Sequence, residues 1–553
     1  MFRRYSILLI ALSLAIVSIG GTREDELALV RNSESLLKIM RELSENYVDV
    51  VNTDQMMVDI SEGISANLDP YTGYIPRSDM DGFEMMTTGK YGGIGSIIRQ
   101  RGEQILISCP YKGSPADKAG LVVGDVITEI DGKSMVGEST STASNMLKGT
   151  PGSKVRLVVE KIATGKKERV VIMRERISIP SIPYYGFVGD RADSVGYIQH
   201  TDFTEGCYEL MAEAIKDLRA QGLKSLILDY RSNGGGIMQE AISILSLFVP
   251  TSTEVLEIRS RRETITYSTV KEPLLLNTPL VVLIDKNTAS AAEIVSGALQ
   301  DLDRAVIIGQ RSFGKGLVQS TRDIGYGAFL KLTTARYYIP SGRCIQAIDY
   351  HNRPTDGGGN ERLADSLRRT FTTASGRKVH DGGGITPDIV VRAETLGRFA
   401  TTLFSLGLIE DYGNEYYKKH GVAMAVEPGG FALGEADYND FCAMIDSCKV
   451  EYESSSRTAL KKLKTILAKE LITGLDGELK AIESALEDDT RSNLERYKEQ
   501  IVPLIERDIV SRYNYTEGGI RYSLREDRDL KRALELIGES GGIEQRLSPK
   551  AVE

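Results

Sequence analysis

Two side chains in this sequence have the types and settings for nucleophilic chemistry. Ser290 lies in PLVVLIDKNTASAAEIVSGALQD, where an apolar strand passes through a short polar turn into a run of good helix formers. At the mouth of such a helix the amide of Ala291 points outward and the helix dipole favours developing negative charge. A serine there is either a nucleophile or an N-cap. Lys315 lies between glycines in IIGQRSFGKGLVQS. A lysine is a base only as the neutral amine, and burial among uncharged groups lowers its pKa from about 10.4 toward about 7 to 8. Phe313 and Leu317 are placed to desolvate Lys315. Gln319, four residues on, shares its face in an extended segment, where the amide can hold the lysine amine.

The lysine stretch has two competing readings. From Gly309, GQRSFGKG has the spacing of a phosphate-cradling loop. Such a lysine opens a helix and is followed by Ser or Thr for magnesium, whereas Gly316 follows here and GLVQSTRDIGYGAF is too rich in glycine to be that helix. No nucleotide partner is expected. From Ser312, SFGK is the S-x-x-K of serine hydrolases that bind β-lactams, but the S-D-N and K-T-G of that site occur nowhere in the chain. No G-x-S-x-G surrounds Ser290, so a serine, histidine and aspartate triad has little local support. A Ser/Lys pair is the reading left. A second strand, SLILDYR, runs into SNGGG, Ser232 to Gly236, and glycines at a strand's end let a backbone amide approach a ligand. Paired with the amide of Ala291, such an amide makes an oxyanion hole.

The elements that must position these residues form one section of a longer chain. At 553 residues the chain is too long for one core. Its 41% hydrophobic and 26% charged content is that of a soluble globular protein, and a net charge of -9 offers no basic footprint for nucleic acid. Five scattered cysteines and four histidines, no two of the latter close together, give no metal site by local spacing and no disulfide framework. No cofactor is expected. The N-terminus, MFRRYSILLIALSLAIVSIGGTRED, has the layout of a secretory signal, with cleavage after Gly20 or Gly21 and an uncleaved membrane anchor as the alternative. The protein is therefore expected to be exported to the periplasm or cell envelope.

Periodicity divides the rest into an N-terminal helical region over 22–88, ended by the turn LDPYTGYIP, a β-rich module over 89–175, an α/β section over 176–394 and a helical extension over 395–553. The fold class is thus multidomain α/β. The fragment SPADKAGLVVGDVITEIDG and the turn Gly93, Ile94, Gly95 and Ser96 resemble the PDZ family over nearly all of the β-rich module. That resemblance implies capture of an extended chain end as an added strand, with the turn amides on its terminal carboxylate.

Ser290 in NTASAAEIVSGALQD, then Lys315 in GQRSFGKGLVQ with Gln319 after it, resembles the catalytic core of the carboxy-terminal processing peptidases, or tail-specific proteases. LDPYTGYIP, the PDZ module, LDYRSNGGG, ARYYIPSGRCIQ and GGITPDIVV match in the same order, over roughly residues 25 to 395. The resemblance implies a serine endopeptidase acting near the carboxyl ends of envelope or secreted proteins. Ser290 would be its nucleophile, Lys315 its general base and Gln319 the residue orienting the lysine. Gly235 or Gly236, with Ala291, would form the oxyanion hole. The family's D-L-R-N-N-P-G-G stands here as DYRSNGGG, which leaves open which glycine donates. The implied partners are polypeptides with free C-termini, and an adaptor protein or self-association through the C-terminal helices. The alternative from another class is a non-catalytic adaptor that holds chain ends with its PDZ module.

Overall fold

The computed structural model describes residues 23–549, apart from 67, 351–361, 363, 422–423, 449, 451 and 487–489. The expected signal segment, 1–21, lies outside the described residues. The chain divides into two compact units, Met1–Met80 with Gln319–Thr334, and Asp81–Val318 with Ala335–Glu553.

In the first unit, helices Arg23–Asn46 and Thr53–Ser65 fulfil the helical expectation. Asn52 caps the second, its Oδ1 accepting from Asp54 N at 2.9 Å and Gln55 N at 3.1 Å. In LDPYTGYIP the Asp69 carboxylate accepts from the amides of Tyr71 and Thr72, both at 2.8 Å, which bends the chain out of the helix. A short strand follows, Gly73–Ile75, pairing antiparallel with Phe329–Lys331. The stretch read as a turn thus contains a strand, because its partner lies far away in sequence.

The second unit is built on a six-stranded sheet whose strands lie in chain order: β1 (Tyr184–Val188), β2 (Val195–Gln199), β3 (Ser225–Asp229), β4 (Leu280–Ile284), β5 (Val306–Gly309) and β6 (Ile389–Val390). β1 is antiparallel to β2 and the rest are parallel. Helices α1 (Cys207–Ala220), α2 (Met238–Leu245) and α3 (Ala291–Asp301) connect consecutive strands. Right-handed crossovers between strands added always on the same side put every connecting helix on one face. Accordingly, Leu226, Leu228, Leu280, Val282 and Ile284 pack with α1 to α3 in one core. The alternate residues Ile227, Val281, Leu283, Val306 and Ile308 face the other way, where Leu530, Ala533, Leu536 and Ile543 cover them. Those four residues belong to α6 (Arg528–Gly538) and α7 (Gly542–Leu547), the last helices of the chain. The end of the segment read as an extension is therefore a layer of the α/β section itself.

The β-rich module is a sheet with Ser96–Arg101 at one edge, paired on one side to Gln104–Pro110, and with helix Thr140–Leu147 against it. Its sheet docks on the C-terminal helices α4 (Leu408–His420) and α5 (Lys498–Ser523). Arg99 pairs with Glu410 and Arg101 with Asp411. Arg512 of α5, held by Asp508 at 2.6 Å, donates to Asn414 Oδ1 at 2.6 Å. The α5 helix is kinked at Asn514 and Tyr515, and Tyr515, with φ of 58°, donates its hydroxyl to Asp117 at 2.8 Å.

Candidate active site

Ser290 follows the turn at the end of β4 and opens α3. Its φ of 55° and ψ of -117° are a conformation that a residue with a side chain adopts at a cost of about 1–3 kcal/mol, found where the surrounding structure enforces it. The enforcement is visible. A Cβ added to Gly235 would stand 2.7 Å from Ser290 Cβ and 2.8 Å from Ala291 N, so only a glycine lets the loop lie against the serine. Asn233 O accepts from Ala289 N at 2.9 Å, which sews the loop Ser232–Gly236 to the turn before Ser290.

Glu293, one turn into α3, is completely buried. Its Oε2 accepts from the amides of both Ser290 and Lys315 at 2.9 Å, and its Oε1 from Gly314 N at 2.7 Å and from the Ser312 hydroxyl. Burial pushes the Glu293 carboxyl up to about 7, against the pull of these hydrogen bonds toward the charged form. On the carbonyl side Tyr337, also buried, donates to Lys315 O, and its hydroxyl lies 3.2 Å from Ser290 O. A carboxylate and a phenol thus brace the backbones of the same two residues, one through their amides and one through their carbonyls. The backbones of Ser290 and Lys315 thus share two braces, Glu293 and Tyr337.

Of the two candidate glycines, Gly235 gives its amide to Asn233 Oδ1 at 2.8 Å. Among the described residues the amides of Gly236 and Ala291 donate to no protein acceptor. Of the expected pair, Gly236 is thus the glycine with a free donor. Gln319 lies in the segment grouped with the N-terminal helices, where its Nε2 donates to Thr333 Oγ1 at 3.2 Å.

The rejected readings fail in the structure too. Lys315 leads into a strand, Leu317–Gly325, and not into a helix. The Ser312 hydroxyl is fully buried, bonded to Glu293 and accepting from Ile385 N at 2.6 Å. His200 is buried against Phe203 and Tyr230, and burial pushes its imidazole down to about 3.

In the β-rich module the turn Gly93 to Ser96 stands on the segment that follows the second strand. Gly95 O accepts from Tyr111 N at 2.9 Å and Ile94 O from Ala116 N at 2.8 Å. Gly95 has φ of 73°, and a Cβ there would stand 2.5 Å from Ser114 Cβ. Among the described residues the amides of Ile94 and Gly95 donate to no protein acceptor.

Three family profiles match the chain: Peptidase family S41 over residues 194–352, a PDZ domain over 106–161, and the probable PDZ-protease C-terminal helical domain over 399–537. A carboxy-terminal-processing protease of Bartonella bacilliformis is 33% identical over 316 residues, 56% of this chain and 71% of that protein. The chain belongs to the carboxy-terminal-processing proteases. It is a serine peptidase, and the reading as a bare PDZ adaptor falls. The carboxy-terminal processing protease CtpA of Bacillus subtilis is 30% identical, with 56% of this chain and 66% of that one aligned. Among solved structures, the photosystem II D1 C-terminal processing protease is similar at 25% identity, with a TM-score of 0.36 and 65% and 87% of the two chains covered.

The sequence reading of this peptidase missed Glu293, Tyr337 and Asn233. The serine and glutamate three apart in SAAE carry the sequence signature of a capping box, and Tyr337 lies inside the quoted ARYYIPSG. What the glutamate reaches across the fold was not written locally.

Proposed function

We propose that Ser290 is the nucleophile and Lys315 the general base of this peptidase. The observation that carries the reading is the strained Ser290 backbone, tied through the Glu293 carboxylate to the amide of Lys315. Ser290 Oγ attacks the scissile carbonyl carbon while the neutral Lys315 amine takes its proton. The oxygen turned anionic meets the amides of Ala291 and Gly236 at the positive end of α3. The C–N bond breaks, Lys315 returns the proton to the leaving amine, and an ester on Ser290 remains. Water then attacks the ester, with Lys315 taking its proton and passing it to Ser290 Oγ, and the new carboxyl end departs. Gln319 is assigned to orienting the lysine.

Polypeptides with a free carboxyl end are the substrate class. The end is held by the amides of Gly93 to Ser96, and the segment before it is added to the open edge of Ser96–Arg101. On the layout of residues 1–21 the enzyme is exported and works in the periplasm or cell envelope. An adaptor protein or a second copy would meet the outer faces of the C-terminal helices.

The test is cleavage of an unfolded polypeptide by the wild type and by Ser290→Ala, with the product ends identified by mass spectrometry. Loss of cleavage on substitution supports the reading; retained cleavage removes Ser290 from it.

A further inference from the structure

The loop that lies against Ser290 begins at Arg231, the second residue beyond β3, and this arginine is held from the far end of the chain. Asp229, closing β3 and 1% exposed, accepts from Arg231 Nε at 2.9 Å and Nη2 at 2.6 Å, and also from the Tyr197 hydroxyl at 2.6 Å. The outer side of the guanidinium faces the start of α6. Nη1 donates to Asp527 Oδ1 and to Asp529 Oδ2, both at 2.9 Å. Asp527 also caps α6 by accepting from Leu530 N at 2.9 Å, and α6 is seated on the sheet by Leu530, Ala533 and Leu536.

Three carboxylates around one guanidinium exceed what neutralising it requires, so charge balance alone does not explain the arrangement. A planar fork gripped on both sides does fix a position and an orientation. Beyond Arg231 the loop is tied to the neighbouring turns: Ser232 N to Asp285 Oδ1 at 2.9 Å, Asn233 Nδ2 to His200 O at 2.7 Å, Gly235 N to Asn233 Oδ1, and Phe203 N to Gly235 O at 3.0 Å. Arg231 is where the start of α6 holds the entry to the loop.

We propose that Asp527 and Asp529 are positioning residues for the hydrolysis. Through Arg231 they hold the loop Ser232–Gly236 at the place where its amide meets the anionic oxygen of the intermediate. This rests on Ser290 as nucleophile and on the loop as donor. The consequence is that the last helices of the chain act on the catalytic apparatus through Arg231.

The test uses the full chain with Asp527→Asn, Asp529→Asn and both together. Asparagine caps a helix as well as aspartate does, so α6 keeps its start while the ion pairs are lost. In the double variant kcat should fall about tenfold to a hundredfold with KM within about twofold, the pattern of a transition-state donor moved by a fraction of an ångström. A peptide aldehyde, whose adduct with the serine places an oxyanion in the same hole, should weaken in parallel, while an uncleaved peptide of the same sequence binds as before. Asp529→Glu, which keeps the charge, should recover most of kcat. A double variant with wild-type kcat overturns the proposal, as does a fall in kcat with unchanged aldehyde affinity, which would mean a merely structural role. Should the double variant fail to fold, the single variants and Asp529→Glu are judged by the same split. Ser290→Ala runs alongside: if it retains activity, the nucleophile assignment fails; if it is inactive while the aspartate variants are unchanged, the positioning claim alone fails.

Discussion

The turn at Ser290 and the turn at Gly93 to Ser96 both present backbone amides beside glycines at strand ends, and they are held in opposite ways. Around Ser290 the ties are buried and redundant. Glu293 binds two amides on one oxygen, Tyr337 meets the carbonyls of the same residues, and Gly235 closes against the serine. The turn Gly93 to Ser96, proposed to hold the chain end, is propped on one side by the amides of Tyr111 and Ala116, and its module is fixed to α4 by ion pairs that are about 30% exposed. Groups that must meet a charge existing only in the transition state have to be in place before it forms, because reorganising them during the reaction raises the barrier. A receptor for a chain end pays no such penalty. It needs open donors and a free strand edge, and it tolerates a module that shifts on its supports.

This contrast predicts losses in order of size. Lys315→Ala and Lys315→Arg should each lower turnover by about a thousandfold or more with the fold intact, since guanidinium does not deprotonate in this range. Circular dichroism and peptide cleavage check this, and activity near wild type in either variant would falsify the dyad.

Glu293→Gln replaces one carboxylate oxygen with an NH2 that must face N–H and O–H donors. The expected loss is about a hundredfold in kcat, with about 1–3 kcal/mol of stability. A variant that loses only stability would reduce Glu293 to a structural cap and dissolve the contrast.

The same residue makes a pH prediction. The Glu293 carboxyl stands at about 7 in the folded chain against an ordinary 4.5, so between those values the folded state binds more protons than the unfolded one. Its contribution to stability is present below about pH 4.5 and is lost as pH rises through about 7. Urea midpoints measured across that window should fall with pH in the wild type and fall less in Glu293→Gln. Parallel curves would contradict it.

Amidating a substrate's carboxyl end should raise KM roughly tenfold and leave kcat near its free-acid value, because a charge-assisted contact made before the chemistry is lost. Equal KM for the two substrates would remove the turn Gly93 to Ser96 from capture. The smallest effect belongs to the docking surface. Arg99→Ala with Arg101→Ala should cost about 1 kcal/mol or less per pair, and that cost should shrink in high salt. A loss of kcat as large as that of Glu293→Gln would mean that the module's position is part of the catalytic geometry.

Much of this was legible in the sequence because it was local. The strand, polar turn and helix around Ser290, the glycine-rich end of β3, the GIGS turn and the strand after Lys315 each follow from a few neighbouring residues whose backbone preferences agree. The reading of LDPYTGYIP as a turn missed the strand within it, where Gly73–Ile75 take strand form because Phe329–Lys331 lies beside them. The choice between Gly235 and Gly236 was closed to sequence for a related reason. Both are free to adopt the conformation, and only the Asn233 side chain decides which amide is already used.

By itself the sequence determined which side chains could do chemistry, the order of the modules and the turns that carry the amides. Those depend on periodicity, on the chemistry of single residues and on the conformations that glycine permits. The tertiary structure alone decided that Glu293 and Tyr337 would hold Ser290 and Lys315 together, and that a helix from the end of the chain would cover the bare face of the sheet and grip Arg231. A hydrogen bond or ion pair between residues 22 to 298 positions apart leaves no local pattern. Its partners meet only because burying the two faces of the sheet forces their elements together.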